Sequence, residues 1–403
     1  MRPTSHIVDQ TSLNFDLKSQ LLSLDIVLGI AILGYLLVNG PTLNSPAIQD
    51  SIDFAFQNTK FDVWYSRLIF ALAVKSFYPM LAGIFGLSIA MRMHNKPKLL
   101  IKFMAALLMI GLIHLYLIFW GDTLVVFALL GISLVIFYQR SPKLVLLTLF
   151  FSMVVALVLS WLFYHLHNFQ PMVGMAKAMM IYQSGNFVDI SAQRGKDFLG
   201  AYLPGIFYKL DAFQIVDFAV FYVQLYMCLL LGYWTYVSGV FRRLCEDYHF
   251  AQRIALISLS LSFMMGIIAD SFVIIGQALV VLEGLARANF YACSIIFLAY
   301  QPFFRRFFHH FSAVGRMWLT NYIFHNLALS LIFYGYGLGL YGQIGPFAQA
   351  PILLGLMLIS LMFSSWWLSY FRYGPLEWLL DAATQGQFVT LKKSAKSAAL
   401  CVD

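Results

Sequence analysis

The sequence predicts an all-α, polytopic integral membrane helix bundle of about ten transmembrane helices, with both termini in the cytoplasm. Three observations predict it. Hydrophobic residues make up 61% of the 403 and charged residues only 11%, against about 25% charged in an ordinary soluble domain. The apolar residues come in long blocks with a mean hydropathy of +0.78, more apolar surface than one soluble core could bury. The basic residues then fall between alternate blocks, which is how a membrane protein marks its cytoplasmic side.

A hydrocarbon core of ~30 Å takes ~20 helical residues. Applied from the start of the chain, that length gives spans near 21–39, 73–91, 99–119, 122–138, 143–164, 212–238, 253–277, 286–304, 317–338 and 350–371. Residues 1–20 then form a cytoplasmic N-terminal segment and 21–381 the transmembrane domain. An extracytoplasmic loop covers about 167–211, and 382–403 form a polar, disordered cytoplasmic tail. The first apolar run carries Asp25 and lacks a convincing cleavage site after Val38, so it reads as a retained span. Of the 26 Lys and Arg, 18 lie on the side of the N-terminus and the even-numbered connections, among them Arg92, Arg140, Arg242, Arg316 and Arg372. The net charge of +8 is therefore a record of topology, and nucleic acid is not expected as a partner. The lipid bilayer is.

Two stretches outside the spans are expected to be helical at an interface. Pro171 to Tyr182 has methionines at helical spacing around Lys177, and reads either as a lid or as a helix resting on the membrane. Trp64 to Ala73 carries Trp64, Tyr65 and Arg67, which seek the interface. The four cysteines, Cys228, Cys245, Cys293 and Cys401, have no short spacing, so neither a disulfide framework nor a thiolate metal site is expected. The pairs His165/His167 and His309/His310 lack a supporting carboxylate pattern, and no metal is expected there either. Gly337, Gly339 and Gly342 spell G-x-G-x-x-G, but no strand precedes them, so they read as a flexible outer loop and not a dinucleotide site.

Ionisable groups at membrane depth cost at least ~2.5–3.5 kcal/mol each, so each needs a partner or a purpose. Asp25 and Asn39, 14 residues apart, fall on one stripe of span 1, with Gly29 on the same stripe to admit another backbone. Asp25 either pairs with a basic residue near the inner surface or serves function. Span 2 opens with Lys75, either a snorkelling residue or a functional one, and Pro79 is expected to kink it. His114 lies in the outer half of span 3, and Trp120, Gly121 and Asp122 make the outer hairpin to span 4. A carboxylate beside an imidazole fixes its tautomer and makes it a better general base; alternatively His114 is a satisfied core histidine and Asp122 an N-cap. Asp270 in span 7 has no local partner. Glu283 and Arg287, four apart, suit a surface ion pair, and His325 in span 9 is either functional or a helix–helix hydrogen bonder.

Ser23 to Gly34, reading S-L-D-I-V-L-G-I-A-I-L-G and followed by Val38-Asn39, resembles the opening L-D-x-x-R-G-x-A-x-x-G…N of the bacterial YeiB-like membrane proteins, domain of unknown function 418. The resemblance continues through Phe77 to Gly86, Gly111 to His114, Trp120 to Asp122, Gly315 to Met317 and Leu319 to Tyr322. It ends at Tyr370 to Trp378, Y-F-R-Y-G-P-L-E-W. The usual Arg of the opening motif is Leu28 here. YeiB-like proteins are distantly similar to transmembrane acyltransferases of the heparan-glucosaminide N-acetyltransferase type, although residues 40–62 hold none of the outer-loop histidines some of those enzymes carry.

That similarity implies transfer of an acyl group from cytoplasmic acyl-CoA, as co-substrate, to an extracytoplasmic acceptor, a small molecule, glycan or lipid. His114 would be general base, with Asp122 and Asp270 as its catalytic partners. Asp25, Asn39, Lys75, Trp120, Asn321 and His325 are the expected substrate contacts, and Arg316 and Arg372 the expected acyl-CoA contacts. The alternative is a transporter or exporter of a small metabolite or lipid, running through Asp25, Lys75 and Asp270. The expected location is the bacterial cytoplasmic membrane, and a homodimer stands among the expected assemblies.

Overall fold

In hydrocarbon a backbone must satisfy its own hydrogen bonds, which restricts spanning segments to helices or closed barrels. The computed structural model describes residues 10–44, 59–93, 96–166, 175–202, 212–271 and 273–393. Their regular structure is helical apart from one isolated bridge between Phe371 and Lys392. In chain order come α1 (Gln10–Asn44), α2 (Lys60–Ile69), a π-helical turn (Phe70–Val74), α3 (Lys75–Met93), α4 (Pro97–Leu117) and α5 (Leu124–Ile132) with a 3-10 extension (Ser133–Phe137). Then follow α6 (Pro142–Leu166), α7 (Met175–Ser184), α8 (Phe187–Tyr202), α9 (Ala212–Val237), α10 (Val240–Glu246) and α11 (Tyr248–Ser271). The last five are α12 (Val273–Ala299), α13 (Pro302–Arg316), α14 (Trp318–Phe333), α15 (Pro346–Tyr370) and α16 (Pro375–Gln385).

Seven described stretches are long and apolar enough to cross a bilayer, in α1, α2–α3, α4, α6, α11, α12 and α15; the pair α9–α10, bent by 69°, makes an eighth. The other two expected spans are present but short. The fourth is Leu124–Phe137, and the ninth, α14, has 16 residues, about 24 Å at ~1.5 Å per residue. Spans 7 and 8 are displaced from their expected places. The second begins at Leu279, within a helix that starts at Val273, and not near 286, because Leu279 to Leu282 are apolar and the one acid that follows, Glu283, is neutralised on its own helix by Arg287. That pair is no surface ion pair: Glu283 is buried, and Arg287 also donates to Ala71 O in the π-helical turn and to Ser262 Oγ at 3.4 Å.

Glycines set the closest helix crossings. A Cβ on Gly315 would lie 1.9 Å from Asp25 O, and one on Gly29 would lie 1.9 Å from Phe311 O, so α1 and α13 touch backbone to backbone. Gly86 against Leu229 O and Gly232 against Gly83 O make a second such crossing between α3 and α9. Small residues permit this approach where lipid offers no hydrophobic drive for association.

Two further expectations change. The tail expected to be disordered from 382 is folded as far as Lys393: Trp378 Nε1 donates to Val389 O at 2.7 Å, and Arg372 N to Leu391 O at 2.9 Å. The Gly337–Gly342 loop is a hydrogen-bonded turn. Gly339 and Gly342 both have φ of +67°, which glycine adopts without strain, and Gly342 N donates to the Asn44 side chain at 3.0 Å.

Candidate functional site

α4 ends at Leu117 and α5 begins at Leu124, so the chain reverses within six residues. The reversal carries Asp122 back against the last turn of α4. There His114 Nδ1 meets Asp122 Oδ2 at 2.5 Å, with both side chains essentially unexposed (1% and 0%). The second carboxylate oxygen accepts from Val125 N at 2.8 Å. Asp122 therefore does both things that its position suggested: it caps the first turn of α5 and holds His114. A carboxylate at Nδ1 requires the imidazole proton there, which leaves Nε2 as the acceptor. Nε2 is met by Asn326 Nδ2 at 3.2 Å, and Asn326 Oδ1 accepts from Asn39 Nδ2 at 2.9 Å. Asn39 Oδ1 is buried without a hydrogen-bond partner.

Tyr322, one turn before Asn326 on α14, completes the cluster. Its hydroxyl receives hydrogen bonds from Thr123 N (3.3 Å) and Thr123 Oγ1 (3.2 Å) and donates to Asp122 Oδ2 at 3.4 Å. Its ring lies 5.2 Å from that of His114 and stacks at 5.7 Å on Tyr35 of α1, whose hydroxyl meets Tyr78 of α3 at 3.1 Å. Four helices from distant parts of the chain thus converge on one imidazole.

A narrow cavity of about 50 Å³ approaches the cluster from the inner side. It is walled by apolar side chains such as Leu28, Phe85, Phe127 and Trp318, with Arg92 at one end and Thr123 and Tyr322 at the other. On the outer side α7 and α8 pack over the bundle. Tyr182 of α7 stacks on Tyr334 (5.0 Å) and Tyr341 (5.1 Å) and donates to Asp197 Oδ2 at 2.5 Å. Burial pushes the Asp197 carboxyl above the usual carboxylate range, although Tyr182, Gln193 and Lys196 pull the other way. Arg194 is fully buried, donates to Tyr116 O (3.3 Å) and Tyr336 Oη (2.8 Å), and lies against the rings of Phe187, Tyr334 and Tyr336. The stretch expected to be either a lid or a resting helix is helical from Met175 and packs on Tyr334 and Tyr341; residues 171–174 of it lie outside the described residues.

The other expected site residues are placed as follows. Asn39 joins the cluster. Trp120 is half-buried beside Phe119 and packs against the outer apolar cluster. Asp25 lies in the first half of the apolar span Gln20–Asn44 of α1, where Arg92 and Arg316 are the cations that act on it. His325 bonds Ser360 Oγ at 2.7 Å, and Asn321 bonds Ser364 Oγ at 2.9 Å; both tie α14 to α15, away from His114. Arg316 and Arg372 are exposed on the inner face, with Arg316 donating to Arg372 O at 3.1 Å, and neither lines the cavity. The side chains of Lys75 and Asp270 lie outside the described residues. Sequence reading gave no role here to Tyr322, Asn326, Tyr35, Arg92 or Arg194. The signal available for Asn326 was a second buried amide on the short ninth span.

The motif ending at Trp378 has a structural explanation. Gly374-Pro375 starts α16, and Glu377 reaches back to accept from Leu319 N (2.6 Å), Thr320 N (2.9 Å) and Thr320 Oγ1 (2.6 Å). It caps the N-terminus of α14, the helix that presents Tyr322 and Asn326. Burial pushes the Glu377 carboxyl above the usual carboxylate range, and these hydrogen bonds offset only part of that.

Fold and site together define a multi-pass α-helical membrane protein with a buried histidine–carboxylate pair next to an apolar cavity that Arg92 also lines. Residues 235–387 match the family model described as "Protein of unknown function (DUF418)", the family that the sequence motifs resemble. It is similar to "Uncharacterized protein YxaH" of Bacillus subtilis (strain 168), 29% identical over 398 residues, covering 93% of this chain and 96% of the relative. An "Uncharacterized 39.9 kDa protein in amylase 3'region" of Bacillus acidopullulyticus is 26% identical over 387 residues, with 93% and 96% covered. "Uncharacterized protein YeiB" of Escherichia coli (strain K12) is 40% identical over 68 residues, 17% of each chain. No solved structure matches.

Proposed function

We propose that this protein is a transmembrane acyltransferase of the bacterial cytoplasmic membrane, passing an acyl group from cytoplasmic acyl-CoA to an extracytoplasmic hydroxyl or amine. One observation carries the reading: an apolar cavity leads from Arg92 to Thr123 and Tyr322, the Tyr322 hydroxyl donates to Asp122, and Asp122 in turn holds His114. Apolar walls suit an acyl chain, and an arginine at the mouth suits the phosphates of a coenzyme A. Arg92 takes the place given at first to Arg316 and Arg372, which are left as contacts for the outer parts of the donor.

In the reaction, His114 Nε2 takes the proton from the acceptor O–H or N–H as the acceptor attacks the thioester carbonyl. The C–S bond breaks, and the coenzyme A thiolate leaves toward the cytoplasm and gains a proton there. Asp122 keeps Nδ1–H in place throughout. The acceptor must displace the Asn326 amide from Nε2; Asn39, which bonds Asn326, has a buried Oδ1 without a hydrogen-bond partner. The relatives it matches are bacterial.

The test is purified protein in lipid nanodiscs, assayed for binding of radiolabelled acetyl-CoA and for release of coenzyme A thiol. Binding should be measurable, and His114→Ala should abolish thiol release while leaving binding and the melting temperature near those of the parent. Absence of acyl-CoA binding, or undiminished release in the variant, refutes the reading. Flux of a solute in proteoliposomes without acyl-CoA binding would favour transport.

A further inference from the structure

We propose that Tyr322 is the partition between the cytoplasm-facing cavity and His114, a positioning residue whose ring closes the passage while its hydroxyl holds Asp122. It is 3% exposed, and it is the residue common to the two environments: it lines the end of the cavity, and its ring lies against the His114 ring. Among the described residues, no other side chain belongs both to the cavity wall and to the ring contact with His114.

The hydrogen bonds also identify the joint that gives way. All three contacts of the Tyr322 hydroxyl are between 3.2 and 3.4 Å, at the weak end for hydroxyl hydrogen bonds. The His114–Asp122 contact is 2.5 Å, shorter than the ~2.7–2.9 Å of charge-assisted N–H···O bonds. A group entering past Arg92 meets the phenol before it meets the imidazole. Swinging the phenol aside breaks three long bonds and leaves the His114–Asp122 pair intact. Tyr35 and Tyr78 limit the direction of that swing, because Tyr35 stacks on one face of Tyr322 and is itself held edge-on by Tyr78 at 4.9 Å. Entry of a ligand and release of Asp122 from its phenol partner thus become one event. The partition deepens the acyl-transfer reading by naming the residue that admits the donor, but its geometry does not depend on what the donor is.

Cysteine accessibility tests it without a substrate. In a background with Cys228, Cys245, Cys293 and Cys401 replaced by Ala, Ser88→Cys reports the cavity, which Ser88 lines, and His114→Cys reports the space beyond the partition. Inside-out vesicles are treated with a small charged methanethiosulfonate. Ser88→Cys should label with or without Tyr322. His114→Cys should stay protected with Tyr322 present and label at least ~10-fold faster with Tyr322→Ala, and Tyr322→Phe should restore protection because the ring alone closes the wall. Tyr322→Leu serves where the alanine variant does not fold, with an intermediate rate expected. Fast labelling of His114→Cys beside an intact Tyr322, no effect of either truncation, or an inaccessible Ser88→Cys overturns the proposal. Loss of acyl-CoA binding in the nanodisc assay would instead overturn acyl transfer and leave the partition standing.

Discussion

Asp122→Asn separates the two jobs of Asp122. The carboxylate holds His114 Nδ1 through one oxygen at 2.5 Å and Val125 N through the other at 2.8 Å. Asparagine caps helices about as well as aspartate, so the second bond survives; alanine loses it at a cost of about 0.5–2 kcal/mol. Alanine also strands a buried imidazole N–H, which adds about 1–3 kcal/mol. Asp122→Ala should therefore lose roughly 1.5–5 kcal/mol of stability by summing those two terms, and Asp122→Asn about 1 kcal/mol or less. Chemistry should rank the other way from stability. The new amide turns an N–H toward Nδ1 and moves the imidazole proton to Nε2, the nitrogen the mechanism needs free. In a Ser-His-Asp triad the same change keeps the geometry and lowers kcat by about 10⁴ through the wrong tautomer. Coenzyme A release in nanodiscs should fall on the order of 10³-fold or more for Asp122→Asn, while ¹⁵N-histidine spectra, assigned by difference against His114→Gln, show the proton moved. A near-parental melting temperature together with a rate within tenfold of the parent would remove Asp122 from the chemistry and leave it a cap.

Three other perturbations address the frame of the site. Gly315→Ala places a Cβ about 1.5 Å inside ordinary contact with Asp25 O, so α1 and α13 must separate at about 1–3 kcal/mol; combined with Gly29→Ala the loss should be less than additive, since one separation relieves both, and additive melting shifts would contradict this. Burial raises the Glu377 carboxyl above its reference of 4.5, so its contribution to stability is fully present below that pH and is lost as pH rises through the folded-state value. Glu377→Gln should accordingly gain on the parent in melting temperature as pH is raised from 4.5, and parallel pH profiles would show that the carboxyl is not the cause. Arg194→Leu removes charge-assisted bonds to Tyr116 and Tyr336, worth about 1.5–3 kcal/mol each; hydrogen exchange over Met175–Tyr202 should accelerate by more than tenfold, and an unchanged rate would mean α7 and α8 are held by their tyrosine stacks alone.

How much of the site could be read in advance depended on sequence separation. His114 and Asp122 are eight residues apart across a tight reversal, so chain geometry alone brings them near each other. Tyr322 and Asn326 approach the same point from about 200 residues away. On α14 the buried histidine drew attention to position 325, but each residue turns a helix by ~100°. That rotation points His325 at Ser360 on α15 and its neighbour Asn326 at His114. Arg92 was read as a marker of topology, which fits its place among the basic inner residues; only packing puts it on the cavity wall.

The residues by themselves determined that the chain is helical, membrane-embedded and asymmetrically charged, because hydrocarbon and the cytoplasmic preference for Lys and Arg act on composition and order without reference to neighbours. They also determined the one short-range polar pair. Tertiary structure decided which tyrosine, which amide and which arginine meet that pair, because these choices are fixed by helix rotation and by glycine-lined crossings whose two sides lie up to 290 residues apart in the chain. No local property of a residue encodes which face of a distant helix it will find.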